Sequence, residues 1–120
     1  MIKGLPNARL KGREATFSVR DGILTQTVTA EGGKGYTHHC DLETFEAVAW
    51  AVEETPAEGK GTSLIDIAKQ ESIPFTRVNV TLEFLKERGI VDVRHRRSYP
   101  VSKSPHLDAM TEFHALAVNA

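Results

Sequence analysis

The sequence of 120 residues predicts a single α+β domain, and three features indicate that class. Residues 63–89 show two helical patterns joined by a short turn. Residues 90–101 read as two short strands around a basic tip. Residues 13–30 alternate polar and apolar residues on both sides of Asp21-Gly22, a pair that favours a two-residue hairpin turn. We expect four parts: an arm (1–12), an N-terminal β-hairpin (13–40), a helical core with a C-terminal β-hairpin (41–103) and a C-terminal helix (104–120).

Composition narrows the class of protein. A hydrophobic content of 40% is enough for one core, and the single Cys40 cannot form an internal disulfide. No apolar run approaches the roughly 18 residues of a membrane span, and residues 1–12 lack the apolar core of a signal peptide. We therefore expect a soluble cytoplasmic protein that does not enter a membrane.

Charge is unevenly distributed along the chain. The net charge of −1 gives no general support to nucleic-acid binding, so any such function must depend on local patches. Residues 41–58 carry six acidic residues and no basic one, whereas residues 90–103 carry four basic residues and one acidic residue. The basic patch therefore coincides with the predicted C-terminal hairpin.

The N-terminal hairpin needs a partner surface. Ala15, Phe17 and Val19 give its first strand one apolar face, and the return strand is rich in Thr and Val. Two strands alone are marginally stable, so we expect the hairpin to pack on the helices or on another protein. Residues 36–40 are compatible with a short third strand.

Three helices follow, each with recognisable ends. Asp41 is expected to cap the first, and Thr55-Pro56 to end it. Thr62 or Ser63 caps the second, and Gly89 ends the third in a left-handed conformation. Helical spacing predicts the buried positions as Phe45, Val48, Ala49 and Val52 in the first helix, Leu64, Ile67 and Ala68 in the second, and Val78, Leu82 and Leu85 in the third.

Residues 41–101 resemble the winged helix-turn-helix family of small bacterial and archaeal transcription regulators. Ala68 resembles the small residue where the second and third helices cross, and Ile73 and Val78 resemble apolar positions of the turn and of the recognition helix. The Glu87-Arg88-Gly89-Ile90 ending resembles the transition into the wing. Ser72 departs from the pattern, because glycine is usual at that position.

The resemblance implies a DNA-binding transcriptional regulator whose partner is double-stranded DNA. The third helix would enter the major groove, and the C-terminal hairpin, or wing, would contact the backbone or the minor groove. The outward positions of the third helix are expected to include Val80 and Glu83 beside the binding residues. The predicted binding residues are Thr76, Arg77 and Asn79 for base edges, Lys86 for phosphate, and Arg94, Arg96 and Arg97 in the wing.

Val80 and Phe84 leave a second reading open. They lie one turn apart on a flank of the third helix, away from its predicted buried face. Either the N-terminal hairpin or the last helix covers them, or they form a protein interface. In the second case, or if the N-terminal hairpin docks a partner, the winged helix is a protein–protein interaction module without DNA binding. The near-neutral net charge and the six acidic residues of the first helix region favour this alternative.

The C-terminal helix carries an apolar stripe that suits either the core or a two-fold homodimer seam. Its members are Leu107, Met110, Phe113, His114 and Ala117. No catalytic motif is present, so we expect no enzyme activity and no cofactor. His38-His39-Cys40 lacks the spacing of metal ligands, because adjacent strand residues point to opposite faces, so we expect no metal site.

Overall fold

The computed structural model describes residues 13–30 and 32–118, which form a mixed α+β fold with four helices and two small antiparallel sheets. The predicted arm, residues 1–12, lies outside the described residues, as do residues 119–120 of the predicted last helix. The elements in chain order are β1 (Arg13–Arg20), β2 (Ile23–Ala30), β3 (Tyr36–Asp41), α1 (Leu42–Glu53), α2 (Leu64–Glu71), α3 (Phe75–Glu87), β4 (Val91–Arg94), β5 (Arg97–Pro100) and α4 (Pro105–Val118).

The N-terminal region is a three-stranded sheet in the order β1-β2-β3, one strand larger than a hairpin. Asp21 and Gly22 both have positive φ, 52° and 75°, which is the turn geometry that the dipeptide predicts. Val19 pairs with Leu24, and Leu24 pairs with Cys40. These three side chains are buried, so one face of the sheet belongs to the core.

The predicted helix ends agree with the structure. Asp41 caps α1 by accepting a hydrogen bond from the backbone N–H of Thr44 at 3.2 Å, and Ser63 caps α2. Gly89 has the expected left-handed φ of 74°. Phe45 and the other predicted apolar residues of α1 are buried, which places this helix at the centre of the core.

The N-terminal sheet covers one flank of α3. Val80 and Phe84 are both 0% exposed. The Phe84 ring lies 5.3 Å from the ring of Phe17 in β1, edge to face, and 5.8 Å from the ring of Phe45 in α1. The expectation that Val80 points outward is therefore wrong, and neither residue forms an exposed protein interface.

Cys40 and Thr81 join β3 to the same flank of α3. The Thr81 hydroxyl donates a hydrogen bond to Cys40 Sγ at 3.3 Å, and both residues are buried. Burial raises the pKa of the Cys40 thiol from 9.0 to about 11. The folded protein thus favours the neutral thiol.

This shift predicts a pH dependence of stability above pH 9. The contribution of Cys40 is fully present below pH 9 and is lost as the pH rises towards 11, because the unfolded thiol ionises first. We expect the loss to reach roughly 2–3 kcal/mol at pH 11. Urea unfolding of the wild type and of Cys40→Ala between pH 8 and 11 measures this loss. A difference of one pKa unit corresponds to about 1.4 kcal/mol in the free energy of unfolding. Parallel pH profiles for the two proteins would contradict the expectation.

Helix α4 packs against α1 and β1. Phe113 is 1% exposed and its ring lies 4.8 Å from that of Phe45, while Met110 is partly buried against the core. Leu107 and His114 lie on the opposite, exposed side of the helix. Phe113 therefore belongs to the core of its own chain, the first of the two alternatives expected for the stripe, and only the exposed members remain for a dimer seam.

Candidate nucleic-acid interface

A tight turn joins α2 to α3 and sets the direction of α3. Ser72 takes a left-handed conformation (φ 56°, ψ 47°), and the N–H of Ile73 donates to the carbonyl of Ala68 at 3.0 Å. Glycine adopts this conformation at lower cost than any residue with a Cβ, which explains why glycine is usual at this point of the resembled motif. Pro74 then precedes α3 without a side-chain cap.

One face of α3 is open to solvent. Thr76, Glu83 and Lys86 are exposed and Asn79 is half-buried, at steps of three, four and three residues. Such steps place side chains on one side of a helix. The N-terminal sheet covers the flank with Val80 but leaves this face uncovered. The face therefore remains available to a partner.

The C-terminal hairpin ends in a two-residue turn. Arg94 pairs with Arg97, and His95 and Arg96 between them have φ of 52° and 66°. Positive φ at both central positions is typical of a type I′ turn, which usually carries Asn or Gly. The turn makes Arg96 the outermost basic residue of the hairpin, and its side chain is exposed.

The root of the hairpin is fixed to the segment before α2. Thr62 and Ser98 exchange two backbone hydrogen bonds, of 2.8 and 2.6 Å. Gly61 has φ 68°, and a Cβ there would lie 2.6 Å from the carbonyl oxygen of Ser98, so the position requires glycine. These contacts place the hairpin beside α2.

Arg97 strengthens the same junction. Its guanidinium donates to the carbonyl of Lys60 at 2.6 Å, to the carbonyl of Gly61 at 3.3 Å and to the carboxylate of Asp66 at 3.1 Å. These hydrogen bonds commit Arg97 to holding the hairpin in place. This intramolecular role differs from the predicted contact with DNA.

A groove of about 570 Å³ lies between α2, α3 and the hairpin. Four of the seven predicted binding residues line it: Asn79, Lys86, Arg96 and Arg97. Thr76 is exposed at the N-terminal end of α3. The fold thus brings together the third helix and the hairpin, which are separate along the chain, at one concave surface.

Arg77 and Arg94 are directed elsewhere. Arg77 Nη1 lies 3.2 Å from Asp41 Oδ1, at the start of α1. Side chains two positions apart on an α-helix are rotated by about 200° around its axis, so Arg77 and Asn79 do not share a face. Arg94 pairs with Asp92 at 3.4 Å and lies over the ring of Tyr99 at 3.9 Å. Sequence spacing alone does not reveal these partners.

Asp41 has two roles at the junction of β3, α1 and α3. Hydrogen bonding by Thr44 is the main cause that holds the pKa of Asp41 below its usual range, and the charge of Arg77 adds a smaller contribution. The carboxylate therefore stays ionised while it caps α1 and pairs with Arg77.

Two cations that form no ion pair within the described part of the chain, and one acidic residue, are among the side chains that line the groove. Lys86 and Arg96 form no ion pair with the described residues, and their charges therefore face solvent. Glu83 also lines the groove, but its carboxylate accepts a 2.5 Å hydrogen bond from the side-chain amide of Gln26 in β2. Gln26 thus holds the carboxylate of Glu83 towards the sheet.

Two apolar residues of this surface were not predicted. Ile65 lines the groove and is 52% exposed, and Phe75 at the start of α3 is 56% exposed. Phe75 lies four residues before Asn79, so it occupies the same side of the helix. Helical spacing was the available signal, but an apolar residue beside a predicted core is ordinarily interpreted as buried.

Comparison of the chain with protein-family models, with curated protein sequences and with solved structures finds no match. Within residues 13–30 and 32–118, no helix has the length and apolar character needed to cross a membrane. No group of three His, Cys, Asp or Glu side chains gathers as metal ligands would in this described part. We therefore identify the surface between α3 and the hairpin as the candidate site from its geometry alone.

Proposed function

We propose that residues 41–101 form a winged helix-turn-helix that binds duplex DNA and regulates transcription. The observation that carries the proposal is the groove between α3 and the hairpin, which is lined by Asn79, Lys86 and Arg96. An α-helix fits the major groove, and cations that lack an internal partner are suited to phosphate.

The order of strands and helices in the described chain is not the canonical winged-helix order, but part of it contains the elements that the proposal needs. Helices α1, α2 and α3 are followed by the hairpin β4–β5, and Thr62, before α2, bridges to β5 through Ser98. The hairpin therefore stands beside the open face of α3 as a wing would. The three strands before α1 and helix α4 after β5 are additions to the resembled pattern, and they pack on α1 and α3.

The contacts suggest a division of roles among the predicted residues. Thr76 and Asn79 lie towards the N-terminal end of α3, where side chains reach base edges, and Asn is suited to adenine. Lys86 and Arg96 lie further along the groove and are suited to phosphates. Arg77, which pairs with Asp41, is assigned to the edge of the interface instead of the base readout expected from its sequence position.

A binding measurement tests the proposal directly. The full chain is titrated into a labelled mixed-sequence duplex at about 50 mM salt, and the anisotropy titration is repeated at increasing salt. We expect binding whose logarithmic affinity falls linearly with the logarithm of salt concentration. A duplex selected from a random library should bind more tightly than the mixture. Absence of binding at about 50 mM salt, where non-specific contacts persist, would overturn the proposal.

The alternative is a protein–protein interaction module with the same fold. Two of its predicted docking residues, Val80 and Phe84, are buried, so the alternative now depends on the N-terminal hairpin, which was also predicted to dock a partner, and on the exposed Ile65 and Phe75. Failure to bind DNA would favour this module.

A homodimer through α4 stays a prediction, to be tested by sedimentation. Of the predicted stripe, the exposed residues that remain for such an interface are Leu107, His114 and Ala117.

A further inference from the structure

Phe75 is an aromatic residue that the fold leaves in solvent. It is the first residue of α3 and is 56% exposed, whereas Phe84 of the same helix is 0% exposed. An exposed phenylalanine forfeits the free energy that burial would supply. Its position on α3, four residues before Asn79 of the groove, suggests that a partner supplies the missing contact.

The position of Phe75 connects it to the groove. Phe75, Asn79, Leu82 and Lys86 follow one another at steps of four, three and four residues, which places them along one side of α3. The last three line the groove. Phe75 therefore extends that surface to the N-terminal end of the helix, the end that approaches base edges in helix-turn-helix complexes.

We propose that Phe75 is a specificity-determining residue that contacts the 5-methyl group of a thymine in the major groove. This inference rests on the proposed function. The methyl group is the apolar feature that thymine presents in the major groove, and Phe is among the side chains that contact it. Phe75 has no polar side-chain atom, so it distinguishes thymine by this group.

The helix geometry also limits where the thymine lies. Four residues of α-helix span about 6 Å along the axis, and stacked base pairs are about 3.4 Å apart. If Asn79 hydrogen-bonds to an adenine, the thymine read by Phe75 lies within about two base pairs of it, because the separation along the duplex cannot exceed the rise along the helix. The preferred site thus contains an adenine and a thymine at this short separation.

The test uses the full chain and duplexes selected from a random library by the wild-type protein. Each thymine of the selected site is replaced in turn by uracil, which removes the methyl group and leaves the base pairing unchanged. We expect one replacement to weaken wild-type binding by about fourfold, the ratio expected from the burial of one methyl-sized group. The same replacement should not change the affinity of Phe75→Ala.

Val118→Ala is the matched control, because Val118 is 85% exposed and lies at the end of α4, away from the groove and outside the predicted dimer stripe. It should retain the fourfold uracil effect. Thermal unfolding of Phe75→Ala near the wild-type temperature shows that the variant is folded. Tight binding without any uracil effect, or an equal effect in Phe75→Ala, would overturn the role of Phe75 and leave DNA binding intact. Failure of the wild type to bind any duplex would instead overturn the proposed function, and this inference with it.

Discussion

Substitution of Phe84 by alanine is expected to lower the free energy of unfolding by about 3–5 kcal/mol, the usual cost of a large cavity in a core. The ring is fully buried between Phe17 of the N-terminal sheet and Phe45 of α1. Removal of the ring would delete the contacts that join β1, α1 and α3 at this point. Urea unfolding followed by circular dichroism measures the change.

Val118→Ala is the control for this experiment, because its side chain is 85% exposed and lies outside the predicted dimer stripe. We expect a change within about 0.5 kcal/mol, as for most surface substitutions. A loss below about 1 kcal/mol for Phe84→Ala would show that the sheet does not cover this flank in solution. Phe84 would then again be a candidate residue of a protein interface.

Loss of both Lys86 and Arg96 is expected to weaken the binding of all duplexes alike. Each phosphate contact contributes about 0.9 to the slope of log affinity against log salt, so the double alanine variant should flatten the slope by about 1.8. Extrapolated from about 1 M to about 50 mM salt, that difference corresponds to roughly 200-fold weaker binding. Anisotropy titrations of mixed and selected duplexes over a range of salt concentrations measure both quantities.

Arg94→Ala is the matched control for the wing. Arg94 has the same charge, but it pairs with Asp92, lies over Tyr99 and does not line the groove. We expect it to leave the slope nearly unchanged. An unchanged slope in the Lys86→Ala/Arg96→Ala variant would mean that phosphates do not lie in this groove. A slope change of about 0.9 in Arg94→Ala, the same change per charge removed, would point to a general effect of charge.

Local signals in the sequence were sufficient for most of the elements. Asp41, Ser63 and Gly89 occur where the caps and the left-handed helix end are found, because capping depends on a few neighbouring residues. Asp21-Gly22 specified its turn for the same reason. The third strand, residues 36–41, was less evident, since its polar residues show no clean alternation and its pairing with β2 joins residues distant along the chain.

The candidate site was predictable only in part. Asn79, Lys86 and Arg96 were identified from helical spacing and from the basic hairpin, and they do line one groove. Arg77 and Arg97 carry the same charge in the sequence, yet Asp41 and Asp66 pair with them. The exposure of Phe75 was not predicted, because it depends on whether segments distant along the chain pack over its side chain. Composition and spacing do not specify such partners.

The sequence by itself determined the α+β class, the α1 core stripe, the turns and the caps, because these features depend on interactions between residues a few positions apart. Only the tertiary structure decided that the N-terminal sheet buries Val80 and Phe84, that Phe113 belongs to the core, and which arginines remain free. Those outcomes depend on contacts between distant segments. A given side chain is core or surface only once its neighbours are in place.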